Sequence, residues 1–236
     1  MGVLDIQLLN LLLQDKTNTS ISIDMKFINT FCTLFIILSV YGCMPLARYY
    51  VGFSEPKFLT NEEILQYANK LRIDEEYCFK MDTSYISYLL KFRDNNELSG
   101  KNHLQPIQAS IFNKQKELNG FYLSCYATGI YKINWNETGI FNEFPPDLQA
   151  PLDSLFDYHF FLDYLSPTSN NQINIENINA DYVLIVFWAQ ATKRHSKSLI
   201  EQINSNISLK GDSVSSVVLY VNYDNCMAFM SNLGYR

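Results

Sequence analysis

Glycine and proline are scarce in this chain, nine and seven among 236 residues. That excludes a Gly/Pro-rich linker protein, and no internal repeat or low-complexity tract is present. Positive charge is also short: 18 Lys and Arg against 24 Asp and Glu, a net charge of −6 and a pI near 5.1. Without a dense basic run there is no electrostatic footprint for nucleic acid. The histidines His103, His159 and His195 lie far apart and lack the neighbouring Cys or Asp spacing of a zinc site. Asp153, Asp157 and Asp163 surround His159 in the sequence, but a solvated acidic face is the reading and no metal is expected. A Gly-rich phosphate loop, a serine nucleophile elbow and paired catalytic carboxylates are all missing, and no cofactor is expected. What the chain does hold is apolar: 47% hydrophobic and 14% aromatic residues, ample for a packed core.

The first apolar run is "MKFINTFCTLFIILSVYGC", residues 25 to 43. Lys26 follows a second possible start, Met25, and Phe31 to Val40 is too short to span a bilayer as an ordinary helix. Its length suits the core of a secretory signal, and the alternative is a buried N-terminal helix. The ending "SVYGC" resembles the lipobox of bacterial lipoproteins, with Gly42 before the cleaved bond and Cys43 as lipid acceptor, while Tyr41 departs from the small residue usual there. The resemblance implies four segments. Residues 1–24 lie upstream of the true start, 25–42 form the signal peptide, 43–58 form a tether and 59–236 form one α/β domain. It also implies a bacterial envelope address, anchored in the bilayer through acylated Cys43 and facing the periplasm. Met44, Pro45 and Leu46, beside Cys43, include no acidic residue, and the outer membrane is expected over the inner.

Signal removal would take Cys32, and the lipid occupies Cys43, leaving Cys78, Cys125 and Cys226. None has CxxC spacing, and an odd number allows one disulfide at most, with all three pairings open. The plainer reading is three small buried hydrophobes.

Along the mature chain, Thr60 with Glu63 three residues on is a capping box, and Ile64, Leu65, Ala68 and Leu71 give the following helix one apolar face. A second helix, "DTSYISYLLKF", takes Asp82 or Thr83 as its cap, and the polar run 93–102 reads as a loop. Ile107, Ala109 and Ile111 alternate with Gln108 and Ser110 as in a half-buried strand, and 118–127 returns as its hairpin partner. Pro151 opens another expected helix, "PLDSLFDYHFFLDYL". Val183 to Trp188, "VLIVFW", reads as a central strand covered on both faces. Lys193 to Ile207 follows as a helix with Leu199, Ile200, Ile203 and Ile207 inward, then "VSSVVLYVN" as a parallel strand. Asp224 can cap a closing helix.

The stretch "VLIVFWAQATKRHSKSLIEQI…VVLYVNYDN" resembles the first strand, active-site helix and next strand of periplasmic thioredoxin-like proteins, the redoxin group of thiol-disulfide reductases. The family pattern is an apolar strand, Phe-Trp-Ala, one or two residues, then Cys-x-x-Cys on the first helical turn. Phe187, Trp188 and Ala189 match, and Thr192 and His195 stand where the cysteines belong. The resemblance implies a thioredoxin-like three-layer sandwich with a mixed four- or five-stranded sheet and an N-terminal helical segment. The family's closing hairpin and its cis-proline are missing after Asp224, so the order is permuted: the hairpin 105–127 is expected to take the vacant sheet position. Catalysis fails on this reading, since reductase chemistry needs a thiolate and a resolving thiol. Thr192 is then expected to cap the helix through its oxygen and His195 to lie on the surface, against the alternative of a Thr–His nucleophilic pair. Lys193, Arg194 and Lys197 surround the helix start and would suit an anion, or else form a solvated face. The expected function is a binding or accessory module for an envelope protein or peptide. The alternative is an atypical redox protein using Cys125 or Cys226, the latter with a pKa lowered by a helix N-terminus.

Overall fold

A computed structural model of the chain describes residues 52–93, 97–129, 133–152 and 157–235. The expected signal, the acceptor Cys43 and most of the tether lie outside the described residues. In chain order the elements begin with helix α1 (Asn61–Lys70), strand β1 (Cys78–Met81) and helices α2 (Ser84–Arg93) and α3 (Glu97–His103). Strands β2 (Gln108–Phe112) and β3 (Leu118–Leu123) follow, then helix α4 (Tyr158–Leu162) and strand β4 (Leu165–Pro167). Strand β5 (Tyr182–Trp188), helix α5 (Lys193–Ile207), strand β6 (Ser216–Asn222) and helix α6 (Asp224–Asn232) complete the set.

The strands form one mixed six-stranded sheet in the order β3-β2-β5-β6-β1-β4. Three neighbours, β5, β6 and β1, are parallel, with Val183 opposite Val217 and Phe79 opposite Val221. The hairpin β2–β3 joins antiparallel on the β5 side, Ala109 opposite Val186, and β4 closes the other edge antiparallel to β1. The hairpin therefore lies beside β5, as the sequence predicted, but the sheet has six strands where four or five were expected. The two unforeseen strands are short. β1 has four residues and β4 three, too few for alternation to be read.

Strand β5 explains why the fold has two apolar layers. Successive side chains of a strand point to opposite faces, and every residue from Val183 to Trp188 is fully buried. Leu184, Val186 and Trp188 pack with Ile64 and Ala68 of α1 and with Leu199, Ile200 and Ile203 of α5. Val183, Ile185 and Phe187 pack on the other face with Tyr85, Ile86 and Leu89 of α2, Phe161 of α4 and Cys226 of α6. Each large side chain so buried contributes about 1.5–3 kcal/mol, which makes β5 the anchor of both layers.

Local chemistry sets the helix ends. The Thr60 backbone N–H donates to Glu63 Oε2 at 2.9 Å and the Glu63 N–H to Thr60 Oγ1 at 3.3 Å, the predicted capping box. Asp82 serves α2, accepting from the Ser84 N–H at 2.7 Å. Elsewhere the expectations need correction. The stretch read as a loop over 93–102 contains α3. The helix expected from Pro151 runs only from Tyr158 to Leu162 among the described residues, with Leu155 and Phe156 outside them, because Asp157 caps it through the Phe160 N–H at 2.8 Å. Strand β2 is not half-buried. Gln108 and Ser110 are enclosed too, and the Gln108 amide donates to the His103 and Gln105 carbonyls at 3.0 and 2.7 Å.

Candidate functional site: the turn from β5 into α5

The site is built where two parallel strands end. After Trp188 the chain takes an extended residue, Ala189, then a 3-10 turn over Gln190–Thr192, and enters α5 at Lys193. Thr192 and His195 occupy the positions singled out in the sequence, and both are buried. The Thr192 hydroxyl does not cap the helix, as the sequence had suggested. It meets the Ala189 carbonyl at 3.2 Å and Ser196 Oγ at 2.9 Å. Ser196 Oγ in turn meets the same carbonyl at 3.0 Å and accepts the Ala189 N–H at 2.9 Å. Each hydroxyl has one proton, so one donates to the carbonyl and the other to its partner hydroxyl. This closes the turn on itself and leaves no hydroxyl exposed for nucleophilic attack. His195 is not a surface residue either: the ring of Phe53 lies 5.2 Å from its own, centroid to centroid.

Helical periodicity sorts the other residues outward. Lys193, Arg194 and Lys197 are exposed, and Lys197 Nζ lies 3.6 Å from Glu201 across one turn, both side chains well solvated. Cations at a helix start oppose the macrodipole by a few tenths of a kcal/mol each.

The group whose role the sequence did not reveal is Asp224. Read as a cap for α6, it is the first residue of that helix, and its carboxylate is turned toward the other strand's turn. Oδ2 accepts the Gln190 N–H at 2.6 Å and the Asn222 amide at 2.7 Å, and Oδ1 accepts the Ala191 N–H at 2.9 Å. Asp224 is 2% exposed. Burial pushes its pKa above the ordinary carboxylate value, against the pull of those three donors and of the Lys57 charge. The next residue, Asn225, holds a different partner: its Oδ1 accepts the Leu59 N–H at 2.7 Å and its Nδ2 donates to the Leu59 carbonyl at 3.3 Å. One clue was legible, Asp224 just after an apolar strand, but the backbone donors it accepts lie 33 and 34 residues upstream.

The cysteines stand apart from this turn. Cys78, Cys125 and Cys226 are all free, so none of the three possible disulfides is present. Burial raises the Cys78 thiol to about 11 and raises that of Cys125 as well. Cys226 was expected to have a lowered pKa, and the opposite holds. Enclosed in the aromatic layer, its Sγ faces the Met81 and Asp82 carbonyls at 3.7 and 3.6 Å, and burial drives its pKa far up.

Other candidates disperse. His103 stacks on Phe121 at 4.8 Å and His159 is exposed. Among the described residues no group of three or more His, Cys, Asp or Glu is placed to hold a metal. Tyr122 and Trp135, part of an aromatic stretch, are core residues, and the Tyr122 hydroxyl donates to the Pro146 carbonyl at 2.9 Å. Asn206, which heads an Asn-x-Ser sequon, is buried, and its amide donates to the Phe141 and Glu143 carbonyls at 3.0 and 2.6 Å. A depression lined by α1 and Ile73–Glu75 shares no residue with the turn. No helix among the described residues is long and apolar enough to cross a membrane.

No protein-family model, no curated protein and no solved structure matches this chain.

Proposed function

We propose that the protein is a bacterial envelope lipoprotein whose folded part is a permuted, non-catalytic thioredoxin-like domain serving as a binding or accessory module. The observation that carries the reading is the turn after β5. It follows a buried Phe-Trp-Ala and opens a helix packed on the central strand, as in a reductase, yet Thr192, His195 and Ser196 fill it. Neither hydroxyl ionises usefully near neutral pH, and neither forms a stable disulfide. The sheet supports the fold assignment. Beside β5 the antiparallel hairpin β2–β3 takes the place of a thioredoxin's closing hairpin, and β6 pairs parallel on the other side. Strands β1 and β4 extend that arrangement beyond β6.

The anchor is acylated Cys43 in a bilayer, on the periplasmic side and with the outer membrane preferred, and the partner is an envelope protein or peptide. Each buried methylene of an acyl chain contributes about 0.8 kcal/mol, so more than one chain holds the module firmly. The alternative of redox chemistry at Cys125 or Cys226 needs an accessible thiol of low pKa, and burial raises both. Labelling cells with a palmitate analogue tests the anchor. Label that enters the wild type, fractionates with membranes and disappears in Cys43→Ala supports it, and equal labelling of both overturns it.

A further inference from the structure

The end of the expected tether is not free chain. Ser54 donates its backbone N–H to the Ala191 carbonyl at 2.7 Å, and its hydroxyl reaches the same oxygen at 3.4 Å. Phe53 covers His195. Gly52, at φ +81°, passes so close to α5 that a Cβ there would stand 3.1 Å from Arg194 Cβ, an approach and a backbone conformation that favour glycine. Seven residues after Gly52 the chain is fastened by Asn225, whose carboxamide bonds both the N–H and the C=O of buried Leu59. Between these points the chain is exposed: Phe53 is 42% and Phe58 54% accessible, and Ser54, Glu55 and Lys57 face solvent. Among the described residues the segment thus has a firm end, at Leu59, and a weaker end, held by the Ser54 N–H and hydroxyl on the Ala191 carbonyl, the Phe53 ring beside His195 and the approach of Gly52 to Arg194. Beneath the weak end lie two buried polar groups, the Ala191 carbonyl and His195.

We propose that residues 52–58 form an autoinhibitory strap. It occupies the edge of the β5–α5 turn with its own extended backbone, and its release exposes the Ala191 carbonyl and His195 to an extended segment of a partner polypeptide. The chemistry of the seat names the occupant. A main-chain carbonyl accepting a main-chain N–H, beside a ring that stacks on an aromatic side chain, recognises extended polypeptide carrying an aromatic residue. The polypeptide class rests on the binding-module reading, whereas the strap itself stands on the contacts above. Such a segment, with most of its residues exposed, opens at lower free energy than the core it lies on.

The histidines supply the readout. Diethyl pyrocarbonate modifies accessible imidazole, with exposed His159 as the reactive control and buried His103 as the protected one. Ser54→Pro removes the N–H that Ala191 accepts. In the full-length chain this substitution is expected to raise the modification rate of His195 by at least about tenfold, with His103 and the amide protection of Leu184 and Ile185 unchanged. Phe53→Ala, which removes only the ring, is expected to act in the same direction. In the wild type the Ser54 amide is expected to exchange about a hundredfold faster than those of Leu184 and Ile185. His195 reactivity unchanged in both variants, or equal exchange at Ser54 and in β5, would overturn the strap. A synthetic peptide of residues 52–57 added to Ser54→Pro is then expected to protect His195 again. Failure of that peptide to protect, with the strap results intact, would reject polypeptide as the occupant. The palmitate experiment reads anchoring alone, so the two readings fail separately.

Discussion

Two consecutive strand-to-helix turns lie side by side in this protein, and they do different work. The turn after β5 is closed by side chains of its own helix: Thr192 and Ser196 share the Ala189 carbonyl, and Ser196 also takes the Ala189 N–H. The turn after β6 sends its side chains away. Asp224 reaches across to the Gln190 and Ala191 N–H groups, and Asn225 holds Leu59. One turn is therefore the supported element and the other its support. Thr192 and Ser196 hold their own turn together, and a carboxylate one strand over completes the hydrogen bonding of its backbone.

The comparison is broken most severely by Asp224→Ala. It strips the partners from two backbone donors, the Ala191 N–H in a fully buried bond, and unsatisfied donors there cost about 1–3 kcal/mol each. A stability loss of about 2–4 kcal/mol is expected in a denaturant titration. Acid sharpens the same contrast. Because the folded pKa of Asp224 is raised by burial, its ionised form weighs against the fold at neutral pH, and that penalty is relieved as pH falls through the raised pKa. Asp82, lowered by its Ser84 hydrogen bonds, behaves oppositely: its contribution is present above the ordinary carboxylate value and fades as pH falls. The stability gap between the wild type and Asp224→Ala is therefore expected to widen on acidification. A gap that narrows would mean that hydrogen bonding to the charge outweighs burial.

Ser196→Ala tests the self-closed turn. It removes the acceptor of the Ala189 N–H and one partner of Thr192, and alanine's better helix propensity offsets a few tenths of a kcal/mol. A net loss of about 1–2 kcal/mol is expected, smaller than for Asp224→Ala, and the reverse ranking would invert the roles of support and supported. The smallest effect belongs to the outward face. Lys197→Ala breaks a solvated pair with Glu201 and is expected to change stability by less than about 0.5 kcal/mol.

Much of this architecture was legible in the chain, and the boundary of legibility is physical. β5, α5 and β6 were readable because Val183–Trp188 is continuously apolar, Leu199, Ile200 and Ile203 keep helical spacing, and the crossover length demands parallel pairing. The hairpin followed from the alternation of Ile107, Ala109 and Ile111 with Gln108 and Ser110. Strands β1 and β4 were invisible because a few residues have no period, and Lys80 in β1 reads as polar, its Nζ donating to Asn61 Oδ1 at 2.9 Å. At the site, the identities of Thr192 and His195 were plain but their surroundings were not. A threonine before a helix is ordinarily a cap; here Ser196, one turn on, draws its hydroxyl inward. Phe53 meets His195 from far upstream, and Asp224 serves a turn in another strand, contacts that no local window contains.

The claim on which the rest depends is that the turn after β5 carries out no thiol chemistry, alone or with a cysteine from elsewhere. Insulin reduction by the purified full-length chain, with dithiothreitol as electron donor, tests it most directly. The account predicts precipitation no faster than dithiothreitol alone. Catalytic acceleration that is lost when Cys125 or Cys226 is replaced by alanine would contradict it.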